Sequence, residues 1–269
     1  MRNKMKDNLK NKKLYLLDMD GTIYIDDVLF DATLDFLDFI KSIGGRYVFL
    51  TNNSSKSIIE YISKLTYLGI EADKTNFLTS SQATALYLRE NYMGKKIYVL
   101  GTKSLKKELK EYDIYVVDIY EEGIDCLVVG YDTELTYKKL VEGSRLLTEG
   151  VDFIATNPDY VCPVSFGYVP DCGSICDMLY NATKRRPKFI GKPNATMVEL
   201  AIKNSGFTSE ETIVIGDRLY TDIAAGNAAQ VTTALVLSGE TKREDIEVSE
   251  FTPDYIFKDI GEILKNISK

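Results

Sequence analysis

The sequence predicts an α/β protein, a doubly wound parallel sheet interrupted by an inserted α/β domain. Three observations carry that prediction. Short continuous apolar runs alternate with helical stretches, the pattern of parallel strands buried on both faces. Three of these runs stop at polar clusters: Leu14-Tyr15-Leu16-Leu17 at Asp18-Met19-Asp20, Tyr47-Val48-Phe49-Leu50 at Thr51-Asn52-Asn53-Ser54-Ser55, and Thr212-Ile213-Val214-Ile215 at Gly216-Asp217. Between them, from about Gln82, a further set of strands and helices is large enough to be a domain of its own. A chain of 269 residues is comfortable for two cores. The boundaries read as a polar arm over 1–13, a core over 14–80 and 186–269, and an inserted domain over 81–185.

Residues 1–13 are basic and polar and read as a solvated arm. After the first strand, Gly21 breaks the segment and a loop follows. A helix is expected from Asp31, as N-cap, to Ile43, where Gly44-Gly45 stop it. The next helix begins after Ser55, with Ser57 and Glu60 in capping-box spacing and Gly69 as its stop. Asn76–Thr79 reads as a strand, with Ser80 or Ser81 capping the helix beyond it. In the inserted domain, strands are expected at Ile97–Leu100, Ile114–Val117, Cys126–Gly130 and Phe153–Thr156. Helices are expected at Ser104–Tyr112 and Thr136–Thr148. Asn157–Gly173 reads as an irregular loop rich in Pro, Tyr and Phe, and Ser174 as the cap of a helix ending near Lys184. The core resumes at Lys188-Phe189-Ile190-Gly191-Lys192-Pro193, followed by a helix over Ala195–Ser205. After Asp217 a helix starts near Asp222. Strands at Thr233–Leu237 and Tyr255–Phe257 and a helix at Ile260–Ile267 complete the chain.

Composition removes several function classes. The chain has no histidine. Ser-His and Cys-His nucleophilic pairs, His-based zinc or iron sites and phosphohistidine chemistry are therefore excluded. Any polar chemistry runs on carboxylates, hydroxyls, amides, Lys, Arg or a hard metal held by oxygen. A net charge of −7 argues against nucleic-acid and membrane-surface partners. No apolar run approaches membrane-spanning length, and no export signal is recognisable, so the expected compartment is the cytoplasm. Cys126, Cys162, Cys172 and Cys176 lack paired-motif spacing and read as free thiols.

Ligands of open parallel sheets bind beyond the carboxyl ends of the strands. Asp18 and Asp20 stand at i and i+2 on an extended segment, so both can face one site there. Two acids this close repel each other unless a metal or proton relieves them. Thr51, Asn52, Asn53, Lys192, Asp217 and Asp222 gather at the same edge. Four carboxylates and one lysine come near balance with a divalent cation, and oxygen-only ligands select Mg²⁺. A phosphate dianion would then meet Mg²⁺, Lys192 and neutral donors. For a phosphate monoester, Asp18 is the expected nucleophile, becoming an aspartyl-phosphate, and Asp20 the general acid and base. Thr51 and Lys192 hold the equatorial oxygens, with Asn52 and Asn53 beside them. The metal set is Asp18, Asp20, Asp217 and Asp222.

Asp18-Met19-Asp20-Gly21-Thr22, Thr51-Asn52-Asn53-Ser54, Gly191-Lys192-Pro193 and Gly216-Asp217-Arg218-Leu219-Tyr220-Thr221-Asp222 resemble, in order, the four motifs of the haloacid dehalogenase (HAD) superfamily. The long stretch between Asn52 and Lys192 resembles the large cap of its NagD-like, 4-nitrophenylphosphatase-like branch. So does the loop from Thr156-Asn157-Pro158-Asp159 through Pro170-Asp171-Cys172-Gly173-Ser174-Ile175. The resemblance implies a HAD-like Rossmannoid core with a substrate-selecting cap, and Mg²⁺-dependent hydrolysis of a small phosphorylated metabolite. A homodimer through the cap is among the assemblies it implies. Asn157 and Asp171 are the cap-loop candidates for substrate selection. Two departures stand out. Asp171 replaces a glycine common in relatives, and either repels acidic substrates or caps the following helix. Ala228-Ala229 replaces an Ala-Gly, a mild change at a helix end. The rival readings are a phosphotransferase on the same scaffold, a phospho-acceptor signalling domain, and a binding protein without turnover. Nucleotide monophosphates, phosphoglycolate, sugar phosphates and pyridoxal phosphate all stay open as substrates.

Overall fold

The computed structural model describes residues 9–55, 58–164 and 166–268. The chain first forms β1 (Leu14–Leu17), a hairpin of β2 (Tyr24–Ile25) and β3 (Val28–Leu29), α1 (Thr33–Ser42), β4 (Arg46–Thr51), α2 (Ile58–Tyr67) and β5 (Phe77–Thr79). It continues through α3 (Ser80–Asn91), β6 (Lys96–Leu100), α4 (Lys103–Glu111), β7 (Tyr115–Val117), β8 (Cys126–Val129), α5 (Tyr137–Glu149) and β9 (Asp152–Ala155). Then come β10 (Val161–Val164), β11 (Gly167–Pro170), α6 (Cys172–Thr183) and β12 (Lys188–Phe189). The last stretch forms α7 (Thr196–Ser205), β13 (Thr212–Gly216), α8 (Ala224–Ala228), β14 (Thr232–Val236), α9 (Arg243–Val248), β15 (Tyr255–Phe257) and α10 (Ile260–Ile267).

Two compact units result. One contains the chain up to Thr51, Ile62–Leu78 and the chain from Lys192 onward; the other contains Asn52–Tyr61 and Thr79–Gly191. The first is built on a six-stranded parallel sheet of order β15-β14-β13-β1-β4-β5. Every residue of β1 and β13 is buried, as expected of central strands covered on both faces. Leu17 stands opposite Ile215 on one side and Phe49 on the other. That register brings the ends of β1, β13 and β4 level, so Asp18, Asp217 and Thr51 emerge at one edge of the sheet. No helix of the described residues is long and apolar enough to cross a membrane.

The second unit carries its own parallel sheet, of order β12-β9-β8-β6-β7. Its core packs Tyr98, Leu127, Val129 and Phe153 from the sheet against Ile175 and Leu179 of α6. Lys188–Phe189 pairs with β9 and so belongs to this sheet, although the sequence pattern assigns residues 186–269 to the core. A two-residue strand carries no local mark of which sheet it joins.

Other local differences have simple causes. Residues 157–173 are expected to be irregular but contain the β10–β11 antiparallel hairpin. Asp171, not Ser174, is the N-cap of α6, and Thr79, not Ser80 or Ser81, caps α3 with Gln82 completing a capping box. Helix α1 starts at Thr33 without a side-chain cap; the Thr33 hydroxyl donates to the Ile23 carbonyl instead. The expected Ser57 cap lies outside the described residues, as do residues 1–8 of the arm. Residues 9–13 are tied down: Lys12 is buried and its ammonium donates to the Glu210 carbonyl at 2.6 Å.

Candidate active site

The first unit gathers Asp18, Asp217 and Asp222 so that one carboxylate oxygen from each lies within 4.8 Å of the others. Each arrives by a different local device. Asp18 follows β1 directly, its N–H donating to the Ile215 carbonyl at 2.9 Å. Asp217 follows β13 in the same way. Asp222 sits in a π-helical turn, Leu219–Ile223, rather than at a helix start. The Ile223 N–H reaches back to the Arg218 carbonyl, and such widened turns are frequent at functional sites. Gly216 permits the close return: a Cβ there would collide with the Asp222 side chain.

Lys192 joins the acids. Its buried ammonium donates to Asp18 Oδ1 at 2.6 Å, Asp222 Oδ1 at 2.6 Å and the Leu50 carbonyl at 3.0 Å. Burial works to lower its pKa, but the Asp18 and Asp222 carboxylates outweigh it and raise it above the usual lysine range. Asp222 accepts a second hydrogen bond, from the Arg218 N–H, at its other oxygen. Even so, burial and the Asp18 charge push Asp222 up to about 6. Asp217 is pushed up to about 8 by burial and by the charges of Asp18 and Asp222. One of its oxygens accepts the Glu240 N–H at 2.7 Å; the other, Oδ1, is buried without a hydrogen-bond partner. A buried carboxylate oxygen with no donor, on an acid whose proton is held on by neighbouring carboxylates, is what a divalent cation would relieve. The all-oxygen donor set fits Mg²⁺.

Asp20 stands apart from that cluster. The expected metal set includes it, but its carboxylate is not in the three-acid group; it is exposed and accepts a long hydrogen bond, 3.4 Å, from the buried Tyr24 hydroxyl. A carboxylate reachable by solvent beside the nucleophile suits proton transfer. Thr51, the last residue of β4, is buried.

Asn52 and Asn53 fall in the second unit. The Asn52 amide donates to both Asp159 oxygens at 3.1 and 3.2 Å, and Asn53 Oδ1 accepts the Ser55 N–H and hydroxyl at 2.8 Å each. Asn157 is fully buried there, donating to the Asn52 carbonyl and accepting the Asp159 N–H. Asp171 is also buried, its side chain accepting the Cys172 N–H. Both candidate selectors are thus engaged in fastening the loop that carries them, and the capping alternative for Asp171 is the one observed.

Sequence reasoning missed Arg218. It lies inside the last motif, yet a lone arginine beside an acid reads as solvated. In the fold it is held by the opposing field of Asp18 and Glu240 well above the ordinary arginine range, against its own burial.

Comparison with known proteins now decides the family. Residues 15–115 match the haloacid dehalogenase-like hydrolase family, and residues 189–263 match a second, HAD-hydrolase-like family. The chain belongs to the HAD hydrolases. Within them it falls in the NagD and 4-nitrophenylphosphatase-like branch. It is 33% identical to an acid sugar phosphatase of Staphylococcus saprophyticus over 97% of this chain and 100% of the relative. A 4-nitrophenylphosphatase of Thermotoga maritima superposes with a TM-score of 0.91 at 40% identity, covering 96% of this chain and 98% of that one. A glycerol phosphate phosphatase of Mycobacterium tuberculosis, solved in complex with magnesium, superposes at 0.89 with 29% identity, covering 96% of this chain and 78% of that one.

Proposed function

We propose that this protein is a Mg²⁺-dependent phosphatase of small phosphate monoesters, working through an aspartyl-phosphate on Asp18. The enzyme class, a hydrolase of phosphoric monoesters, is that of its branch. The observation that carries the rest is the assembly at the sheet edge: Lys192 bonded to both Asp18 and Asp222, with Asp217 Oδ1 buried and unpartnered.

Asp18 and Asp217 would hold the cation, and Asp222 supports the set by keeping Lys192 and the π-helical turn in place. Bound Mg²⁺ neutralises charge on the phosphoryl oxygens. Lys192 pairs with Asp18 and orients it, and offers its positive charge to the transferring group. An Asp18 oxygen attacks phosphorus, the ester P–O bond breaks, and Asp20 gives its proton to the leaving oxygen. Asp20 then takes a proton from the water that hydrolyses the aspartyl-phosphate, which restores both acids. Relatives named for sugar phosphate, 4-nitrophenyl phosphate and glycerol phosphate make small phosphomonoesters the substrate class. The second unit is the element we assign to choosing among them.

Phosphate release from p-nitrophenyl phosphate and from alkyl phosphates tests this reading. Activity should require Mg²⁺ and vanish with chelator. Asp20→Asn should lose far more on alkyl esters than on p-nitrophenyl phosphate, whose leaving group needs little protonation. Equal losses on both would remove Asp20 from the acid role.

A further inference from the structure

The loop after β14 touches the site from outside all four motifs. The Ser238 hydroxyl donates to the Gly21 carbonyl at 2.7 Å, in the turn after the nucleophile strand. The Glu240 N–H donates to Asp217 Oδ2 at 2.7 Å, and the Thr241 N–H donates to the Asp217 carbonyl at 3.2 Å. A Cβ at Gly239 would strike the Asp217 carboxylate, so the strap lies flush against that side chain. The strap is itself gripped from the other side. Glu240 Oε2 pairs with Arg218 Nε at 2.9 Å, and Glu240 Oε1 accepts the Tyr220 hydroxyl at 2.8 Å. Arg218 and Tyr220 flank the start of the π-helical turn that carries Asp222.

From this geometry we infer that Glu240 is a positioning residue for metal binding: fastened by Arg218 and Tyr220, it holds its own backbone N–H on Asp217 Oδ2 and so leaves Oδ1 available to a cation. The inference rests on the reading that Asp217 holds Mg²⁺. The clamp is partly exposed, with about half of the Glu240 side chain accessible. Ion pairs in such settings add little to fold stability. Its effect is therefore on the carboxylate it orients. Support of this kind around metal ligands is worth about 10–100-fold in affinity, and the exposure places this one at the low end.

Calorimetric titration of Mg²⁺ into the full chain without substrate tests it. Glu240→Ala removes both fasteners and should raise the dissociation constant about tenfold. Glu240→Gln keeps one carbonyl oxygen to accept from the Tyr220 hydroxyl but gives up the charge that pairs with Arg218, and should weaken binding about threefold. Tyr220→Phe removes the other fastener and should likewise fall between wild type and Glu240→Ala. Equal weakening by Ala and Gln, with no effect of Tyr220→Phe, would assign the effect to charge alone and overturn the fastening role. So would an unchanged dissociation constant in Glu240→Ala with only a lower melting midpoint. The controls are wild type and Asp217→Asn. Failure of wild type to bind Mg²⁺, or undiminished binding by Asp217→Asn, defeats the metal reading itself. A normal control pair with an unaffected Glu240→Ala defeats only the strap.

Discussion

The sheet-edge site of the first unit and the β10–β11 hairpin of the second are built on opposite principles. At the site, charged groups are buried and bonded to one another: Lys192 and Asp222 are each only about 2–3% exposed. At the hairpin, large apolar groups stand in solvent: Tyr160, Phe166 and Tyr168 are 58%, 81% and 70% exposed. Its inner face, Cys162 and Val169, packs on the core of the second unit, and these three aromatics stand outside that core. Burying charge is costly unless it is paired, so the first region is tied to one chemistry. Exposed aromatics cost the fold little to exchange, so the second can vary without unfolding the protein.

That contrast breaks most sharply at Lys192. Lys192→Ala leaves Asp18 and Asp222 facing each other without their cation. It should destabilise the metal-free protein by about 3–5 kcal/mol, measured by denaturant unfolding. A loss under about 1 kcal/mol would show that the buried pair is not holding the site together.

The next effect follows from the raised acids. Asp217 and Asp222 hold protons more tightly in the folded protein than in the unfolded chain, so metal-free stability is greatest below about pH 4 as far as these two are concerned. It falls as pH rises through about 6 and then 8. Melting scans in chelator should show a midpoint declining from pH 5 to 8, and the gain on adding Mg²⁺ should grow over the same window. A gain that shrinks with pH would contradict the assignment of Asp217 to the cation with Asp222 beside it.

Smaller effects belong to the second unit. Asp171→Ala should cost about 1 kcal/mol through the lost N-cap of α6 and leave the order of preferred substrates unchanged. A reordered substrate profile with unchanged stability would return Asp171 to a selecting role. Phe166→Ser should change stability by no more than about 0.5 kcal/mol. If the hairpin selects substrate, relative kcat/KM values across a panel of phosphorylated metabolites should shift; a flat profile removes it as the selector.

The two regions also differ in how far the sequence reveals them. Asp18, Thr51, Lys192 and Asp217 follow apolar strand runs or Gly-Lys-Pro, so local spacing alone places them at one sheet edge. The doubly wound fold and its inserted domain were legible for the same reason, and the family from the resemblance of the four motifs taken together. Other features depend on contacts between distant segments and leave no local period. Lys188–Phe189 looks like a core strand and joins the other sheet. Asp222 looks like a helix start and lies in a π-helical turn. Glu240 looks like one more surface acid; what distinguishes it is that its N–H meets a carboxylate 23 positions away. Asn157 and Asp171 were legible as special residues, but hydrogen-bond partners rather than spacing decide what each does.

The central claim, that Asp18 is the nucleophile of a phosphatase built on this acid–lysine cluster, is tested most directly by one comparison. Phosphate release by wild type and Asp18→Asn is measured at saturating Mg²⁺, with matched circular dichroism to show that both are folded. The account predicts a fall of at least about 10³-fold for the variant. A folded Asp18→Asn that keeps activity within tenfold of wild type would contradict it.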